Sequence, residues 1–227
     1  MSWYADFVDT FYKCFIKDDR YKFLIDGIGV TIKVSLLAVA IGILIGLVIA
    51  LCNLSKNKFL NAIGKVYTDV IRGTPSVTQL MIIYFVVFAT VNWEKWIIAS
   101  IAFGINSGAY VAEIVRGGIM SIDVGQTEAG RSLGFNYMQT MWHIVFPQAF
   151  KAVLPALANE FVVLLKETSI AFYIGLGDLM YSVNAIRAAT YSAFMPLVAA
   201  AVIYLIMVLV LSKLVSILER RLRNSER

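Results

Sequence analysis

The sequence predicts an all-α integral membrane protein with about five transmembrane helices. Of its 227 residues, 59% are hydrophobic and only 15% are charged, and the mean hydropathy is +0.76. Soluble domains have about 45–50% apolar and about 25% charged residues, and a chain this short cannot bury so many apolar side chains in one water-surrounded core. The net charge of +5 does not indicate nucleic-acid binding, because the basic residues flank apolar segments instead of forming a stripe.

Long apolar windows locate the spans, since a helix needs about 20 residues to cross the hydrocarbon core. The windows are 34–54, 73–93, 96–112, 148–165 and 188–212, and Glu160 interrupts the fourth. Before them, Phe7, Phe11 and Phe15 recur every four residues, which predicts an amphipathic helix on the membrane interface. The sequence therefore divides into an N-terminal interfacial segment, residues 1–25, and one transmembrane domain, residues 26–227.

The distribution of lysine and arginine predicts the orientation, because these residues are enriched on the cytoplasmic side of membrane proteins. With the N-terminus outside, twelve of them fall in inner segments and eight in outer segments. The inner set is Lys56, Lys58, Lys65, Arg72, Arg116, Arg131, Lys151, Lys213, Arg220, Arg221, Arg223 and Arg227. The outer set is Lys13, Lys17, Arg20, Lys22, Lys33, Lys95, Lys166 and Arg187. This asymmetry predicts an N-out, C-in chain.

A long polar loop, residues 115–147, separates the third and fourth windows, and loops of this length are usually functional. Asp123 or Thr127 is placed to cap a first short helix, which Gly134 would end in a left-handed conformation. A second short helix from Asn136 would stop before Pro147, because proline interrupts the helical hydrogen-bond pattern. The residues alone leave two interpretations open, a compact helical knob on the membrane face or an ordinary capped surface loop.

The same loop resembles a known signature. Glu128-Ala129-Gly130, three residues, Gly134, nine residues and Ile144-x-Phe146-Pro147 follow the spacing E-A-A-x3-G-x9-I-x-L-P of permease subunits of ATP-binding-cassette (ABC) importers. Gly130 and Phe146 replace the alanine and leucine of that pattern. Residues 72–75 (Arg-Gly-Thr-Pro) with Gln79, residues 109–119 and residues 164–169 are similar to polar amino acid permeases of the histidine, glutamine, glutamate and arginine type.

This resemblance implies the type I importer permease fold in a multi-pass protein of the bacterial plasma (inner) membrane. It implies four kinds of partner: a second permease copy or a homologous permease, two ATPase subunits, an extracytoplasmic amino acid-binding protein and membrane lipid. The loop would couple to the ATPase through Glu128, Ala129, Gly130, Arg131, Gly134 and Pro147. The chain lacks a G-x4-G-K-[ST] phosphate loop, so ATP and Mg²⁺ are expected on the partner ATPase and no cofactor on this chain.

Polar residues inside the predicted spans are candidates for the substrate path, because a charge in the bilayer costs at least about 2.5–3.5 kcal/mol. Glu160 follows Pro147 by 13 residues, which is about 20 Å along a helix. A zwitterionic amino acid needs an acceptor for its ammonium and a donor for its carboxylate, and Glu160 and Lys166 have these functions. The candidate set is Asn159, Glu160, Lys166, Ser107, Tyr110 and Gln79. The alternative is a structural ion pair at a permease–permease interface.

Two other spacings favour structural roles. Glu113 and Arg116 are three residues apart on one predicted helix, so they are expected to pair with each other. Gly42 and Gly46 form a small-x3-small pattern that is typical of close helix packing in membranes.

The sequence indicates transport and not catalysis. It has one histidine, His143, and two cysteines, and neither a catalytic cluster nor a metal-ligand cluster is visible. The alternative function is a secondary transporter or channel that is not coupled to an ATPase. The absence of recognisable inverted repeats and the presence of a coupling-type loop argue against that alternative, and a membrane scaffold or integral membrane enzyme is a further class.

Overall fold

The computed structural model describes residues 3–224, and it describes their side chains except those of residues 218 and 221–224. Within this range the chain forms ten α-helices and no β-strand. They are α1 (Trp3–Phe11), α2 (Tyr21–Leu54), α3 (Lys58–Arg72), α4 (Ser76–Ile82), α5 (Lys95–Met120), α6 (Val124–Ser132), α7 (Tyr137–Thr140), α8 (Phe146–Glu167), α9 (Leu179–Thr190) and α10 (Phe194–Asn224). π-helical turns follow α1, α4 and α7, and a 3₁₀ segment, Thr168–Ile174, follows α8.

The predicted all-α architecture with about five spans is confirmed. Four segments are long and apolar enough to cross a membrane, Tyr21–Leu54, Lys95–Met120, Tyr137–Ile174 and Phe194–Ile217, and a bent pair of helices supplies a fifth. The bent pair, Lys58–Arg72 with Ser76–Val87, differs from the single window expected over 73–93. α3 and the segment Ser76–Val87 meet at 104°, because Pro75 lacks a backbone N–H and disfavours helical geometry at the residue before it.

The fifth predicted window also needs correction at its start. Residues 188–190 belong to α9, and this helix ends at Tyr191, which has a positive φ of 53°. The last spanning helix therefore begins at Phe194 and not at residue 188. Hydropathy alone did not detect this break, because the residues around it are uncharged.

The centre of the fold is the contact between α2 and α5, which run parallel. Gly42 lies against Ser107 and Gly104, and one turn further along, Gly46 lies against Val111 and Gly108. Contact positions thus advance in the same direction on both helices. The glycines let the two backbones approach closely, as the small-residue pattern predicted.

The N-terminal helix is present as predicted, and it is anchored at its end. Phe7 and Phe11 are exposed, whereas Cys14 and Phe15 are buried in a cluster with Leu179 of α9 and other residues of α2, α9 and α10. The division expected at residue 25 lies inside the continuous helix α2. Among the basic residues used for the orientation, Arg227 lies outside the described residues, as do the side chains of Arg221 and Arg223.

The loop expected over 115–147 is shorter in the structure, because α5 continues to Met120 and α8 already contains Pro147. The second short helix was expected to stop before this proline, and that expectation is wrong. α7 passes through the π-helical turn Met141–Val145 directly into α8. Pro147 lies in the first turn of α8, directly after the π-helical turn Met141–Val145, where the regular α-helical bonding pattern is already interrupted, so the proline is tolerated.

Candidate translocation and coupling sites

A buried hydrogen bond joins α5 to α8 in the middle of the spans. The Ser107 hydroxyl donates to Oε1 of Glu160 at 2.8 Å, and the two residues are 0% and 8% exposed. No lysine, arginine or histidine of the described part of the chain lies within 4.0 Å of the Glu160 carboxylate. An ionised carboxylate can accept about four hydrogen bonds, so Glu160 retains acceptor capacity for another group.

Gly42 of α2 leaves space for this pair, because glycine has no side chain. A Cβ atom on Gly42 would lie 2.9 Å from the Ser107 hydroxyl oxygen and 3.0 Å from its Cβ. A larger residue at position 42 would therefore push against the donor of the Glu160 hydrogen bond. The pair thus depends on three helices, α2, α5 and α8.

The structure does not bring the other two charged or amide candidates of α8 to Glu160. Asn159 is exposed, and it lines a groove of about 400 Å³ with Pro155 and with Ser212 and Ser216 of α10. Lys166 is exposed and forms no ion pair with a described residue. α8 therefore presents Glu160 toward α5 and Asn159 toward α10.

Gln79 fastens the bend between α3 and α4. Its Nε2 donates to the Ile71 carbonyl at 2.7 Å and to the Thr74 hydroxyl at 2.7 Å. Its Oε1 accepts from Nδ2 of Asn106 on α5 at 2.9 Å. Both the donor and the acceptor of the Gln79 amide are thus used within the chain, so this candidate connects the bend to α5.

A charged cluster lies at the end of α5 that adjoins α6, which we call the loop end. Glu113 accepts from Nε and Nη2 of Arg116 at 3.1 and 2.8 Å, so the expected pairing of these residues is confirmed. Arg72 of α3 adds a contact of 3.7 Å to Glu113, and its guanidinium lies 5.5 Å from the Tyr110 ring centroid. Tyr110, a candidate for the path, therefore packs beneath a cation at the loop end.

The coupling-loop residues form a compact pair of short helices. Asp123 caps α6 by accepting from the Gly125 N–H at 2.6 Å, which decides between the two predicted caps. Gly134 has a φ of 82°, and the N–H groups of Gly134 and Phe135 bond to the carbonyls of Arg131 and Gly130 at 2.9 and 3.0 Å. These two bonds constitute a Schellman motif, so the predicted left-handed helix end is present.

Gly130 joins the two short helices. A Cβ there would lie 2.7 Å from Cγ2 of Thr140 and 3.0 Å from Cδ1 of Ile144, so glycine permits the close packing of α6 on the following segment. Around this contact the surface is exposed and partly apolar, with Val124, Leu133 and Met138 about 70% exposed. Glu128, Ala129 and Arg131 are exposed on α6. Such a surface on a compact knob of two short helices is suited to a protein partner.

Two charged side chains with contacts in the structure were not among the sequence candidates for the substrate path or the coupling loop. Asp178 is buried and caps α9 by accepting from the Tyr181 N–H at 2.9 Å. An acidic residue just before a helical run was the available signal. The sequence indicated Arg72 only as an inner basic residue and as part of the Arg-Gly-Thr-Pro motif, because its contact with Glu113 of α5 depends on tertiary structure.

Comparison with known proteins identifies the relatives of this fold. Residues 42–224 match the family described as "Binding-protein-dependent transport system inner membrane component". The chain is 40% identical over 206 residues to the arginine transport system permease protein ArtQ of Bacillus subtilis (strain 168), covering 90% of this chain and 94% of the relative. It is 37% identical over 203 residues to the glutamine transport system permease protein GlnP of Escherichia coli (strain K12), covering 88% and 93%.

Solved structures agree with these matches. A crystal structure of an amino acid ABC transporter with histidines contains a chain that is 44% identical, with a TM-score of 0.83 over 88% of this chain and 94% of that one. An inward-facing structure of the MetNI methionine ABC transporter gives a TM-score of 0.77 at 18% identity, covering 91% of this chain and 99% of that one. The second likeness concerns the fold alone.

Proposed function

This chain belongs to the family of binding-protein-dependent transport system inner membrane components and is a permease subunit of an ABC importer, and from this premise we propose how it moves its substrate. A polar amino acid crosses the membrane next to the contact between α5 and α8, and its α-ammonium group binds the Glu160 carboxylate. The printed names of the relatives support this class, since they concern arginine and glutamine. A secondary transporter or channel without an ATPase is not supported by these relatives.

The observation that carries the proposal is the Ser107–Glu160 hydrogen bond. It holds a carboxylate in the middle of the spanning region with acceptor sites unused by the described residues. A buried carboxylate is costly unless it meets a partner, and an ammonium group meets that requirement. Lys166 and Asn159 lie on other faces of α8, so the substrate carboxylate takes its donors from elsewhere, including a second permease.

The proposal includes the orientation and the partners. The loop end faces the cytoplasm, which is supported by the twelve-to-eight distribution of basic residues. Permeases of ABC importers work with ATPase and substrate-binding partners. Here we infer a pair of permeases with two ATPases that hold ATP and Mg²⁺, and a binding protein on the outer face. The knob of α6 and α7 docks on the ATPase, since its exposed apolar residues lie on short helices joined at Gly130.

Uptake by the reconstituted complex tests the substrate site. Proteoliposomes would contain the permease, its ATPase and its binding protein, and radiolabelled L-arginine and L-glutamine would be supplied. Glu160→Gln should reduce uptake at least tenfold, about 1.4 kcal/mol, because it removes the charge that binds the ammonium and conserves the shape. Glu94→Gln is the matched control and should transport normally, because Glu94 is exposed and lies just before the first residue of α5.

Copurification of the ATPase shows whether the Glu160→Gln complex assembles. Reduced uptake in an assembled complex supports the site. Normal uptake in Glu160→Gln would remove Glu160 from substrate binding and leave it a structural residue between α5 and α8.

A further inference from the structure

A second polar cavity lies at the loop end, where the end of α2, the bent helix α3 and the end of α5 meet. Its volume is about 600 Å³, which is within the range of small-molecule sites. The residues that matter for its chemistry are Asn53, Lys65, Asp69, Arg72, Glu113 and Arg116. On α5 it starts six residues beyond Ser107, which is about 9 Å along the helix.

The two arginines of this cavity differ in how many of their N–H groups are hydrogen-bonded. Arg116 is occupied, since it donates to both carboxylate oxygens of Glu113 and to Sδ of Met120. Arg72 only approaches Glu113 through Nη1 at 3.7 Å, so most of its five N–H donors have no acceptor among the described residues. Lys65 of the same cavity forms no ion pair with a described residue either, but the planar guanidinium of Arg72 matches a planar carboxylate better than a lysine ammonium does.

An acidic residue of the same cavity, Asp69, also lacks an ion-pair partner among the described residues. Asp69 precedes Arg72 by one helical turn on α3, and such pairs usually interact. Within residues 3–224, no cation with a described side chain lies within 4.0 Å of the Asp69 carboxylate, because Arg72 is directed to Glu113 and to the Tyr110 ring. The cavity is therefore lined by a carboxylate and a guanidinium that do not pair with each other.

We propose that this cavity is a second amino acid site, which binds the zwitterionic backbone of the transported molecule between Glu160 and the cytoplasm. Arg72 takes the α-carboxylate, Asp69 takes the α-ammonium, and the side chain occupies the remaining space near Asn53. Opposite charges on Arg72 and Asp69 match the two charged groups of a zwitterion. The class of ligand and the cytoplasmic exit rest on the proposed function.

Binding to the permease–ATPase complex in nanodiscs, without the external binding protein, tests the proposal. The probes are radiolabelled L-arginine and L-glutamine, and the background is Glu160→Gln, which removes the central site. We expect binding to persist in that background and to weaken at least about tenfold on adding Asp69→Asn, as for loss of a charged hydrogen bond. Arg72→Gln should act alike, and the methyl ester of the same amino acid should not compete.

Asp9→Asn, an exposed carboxylate on α1, is the matched control and should leave binding unchanged. Equal affinity in the Asp69→Asn and Asp9→Asn complexes would overturn the second site, as would loss of all binding in Glu160→Gln alone, and either result would leave the central site standing. If Glu160→Gln changes neither uptake nor binding while Asp69→Asn weakens binding, the proposed role of Glu160 is wrong and the cavity remains a binding site.

Discussion

Replacing Gly42 with alanine should push α2 away from α5 and disturb the Ser107–Glu160 hydrogen bond. The added Cβ would lie 2.9 Å from the Ser107 hydroxyl oxygen, 3.0 Å from the Ser107 Cβ and 3.4 Å from the Gly104 carbonyl oxygen. Carbon atoms pack at about 3.5–4.0 Å, so the helices must separate by about 0.5–1 Å. Overpacking of this kind costs about 1–3 kcal/mol.

Gly29→Ala is the control, because Gly29 lies on the same helix and its added Cβ has no neighbour within 4 Å. Both variants gain the same helix propensity, about 1 kcal/mol for alanine over glycine. The steric cost at position 42 is therefore the difference between them.

Thermal unfolding in nanodiscs and amino acid uptake would measure the effect. We expect Gly42→Ala to unfold several degrees below Gly29→Ala and to transport more slowly. Ser107→Gly in the Gly42→Ala chain should recover part of the unfolding temperature, because it removes the clashing Cβ, but not the uptake, because it also removes the hydrogen-bond donor. Equal unfolding temperatures for Gly42→Ala and Gly29→Ala would refute the argument from close packing.

Three further predictions follow from other parts of the fold. Gly134→Val should weaken ATPase copurification and substrate-stimulated ATP hydrolysis, because a β-branched residue is disfavoured at a φ of 82°; Gly134→Asn, which tolerates that geometry and meets open space, should act like wild type, and equal coupling in both variants would contradict this. Gln79→Ala should lower the unfolding temperature together with uptake, because Asn106 is buried and loses its acceptor; an unchanged unfolding temperature would return Gln79 to a purely substrate-binding role. Since Cys14 is fully buried, orientation is best tested in a chain without native cysteines: an impermeant thiol reagent on intact cells should label Ala193→Cys and spare Ser132→Cys, and the reverse pattern would invert the topology.

Features that depend on neighbouring residues in the chain were predictable from the sequence. The number of spans follows from hydropathy, and the end of α6 follows from Gly134, because a glycine after a short helix permits the left-handed turn that the structure shows. The pairing of Glu113 with Arg116 depends only on helical spacing. The family signature was equally local, since its spacing is carried by one loop.

Contacts between distant segments were decided by the tertiary structure. Hydropathy cannot tell which helix meets a given face, so it did not show that Glu160 faces Ser107 on α5, 53 residues away, while Asn159 faces α10. The 104° bend before α4 and its fastening by Gln79 likewise depend on Asn106 of α5. The sequence alone therefore determined the approximate number of spans, the helix end at Gly134 and the family, because short-range patterns encode them, whereas the helix faces of the proposed substrate path arise from packing between helices that are far apart in the chain.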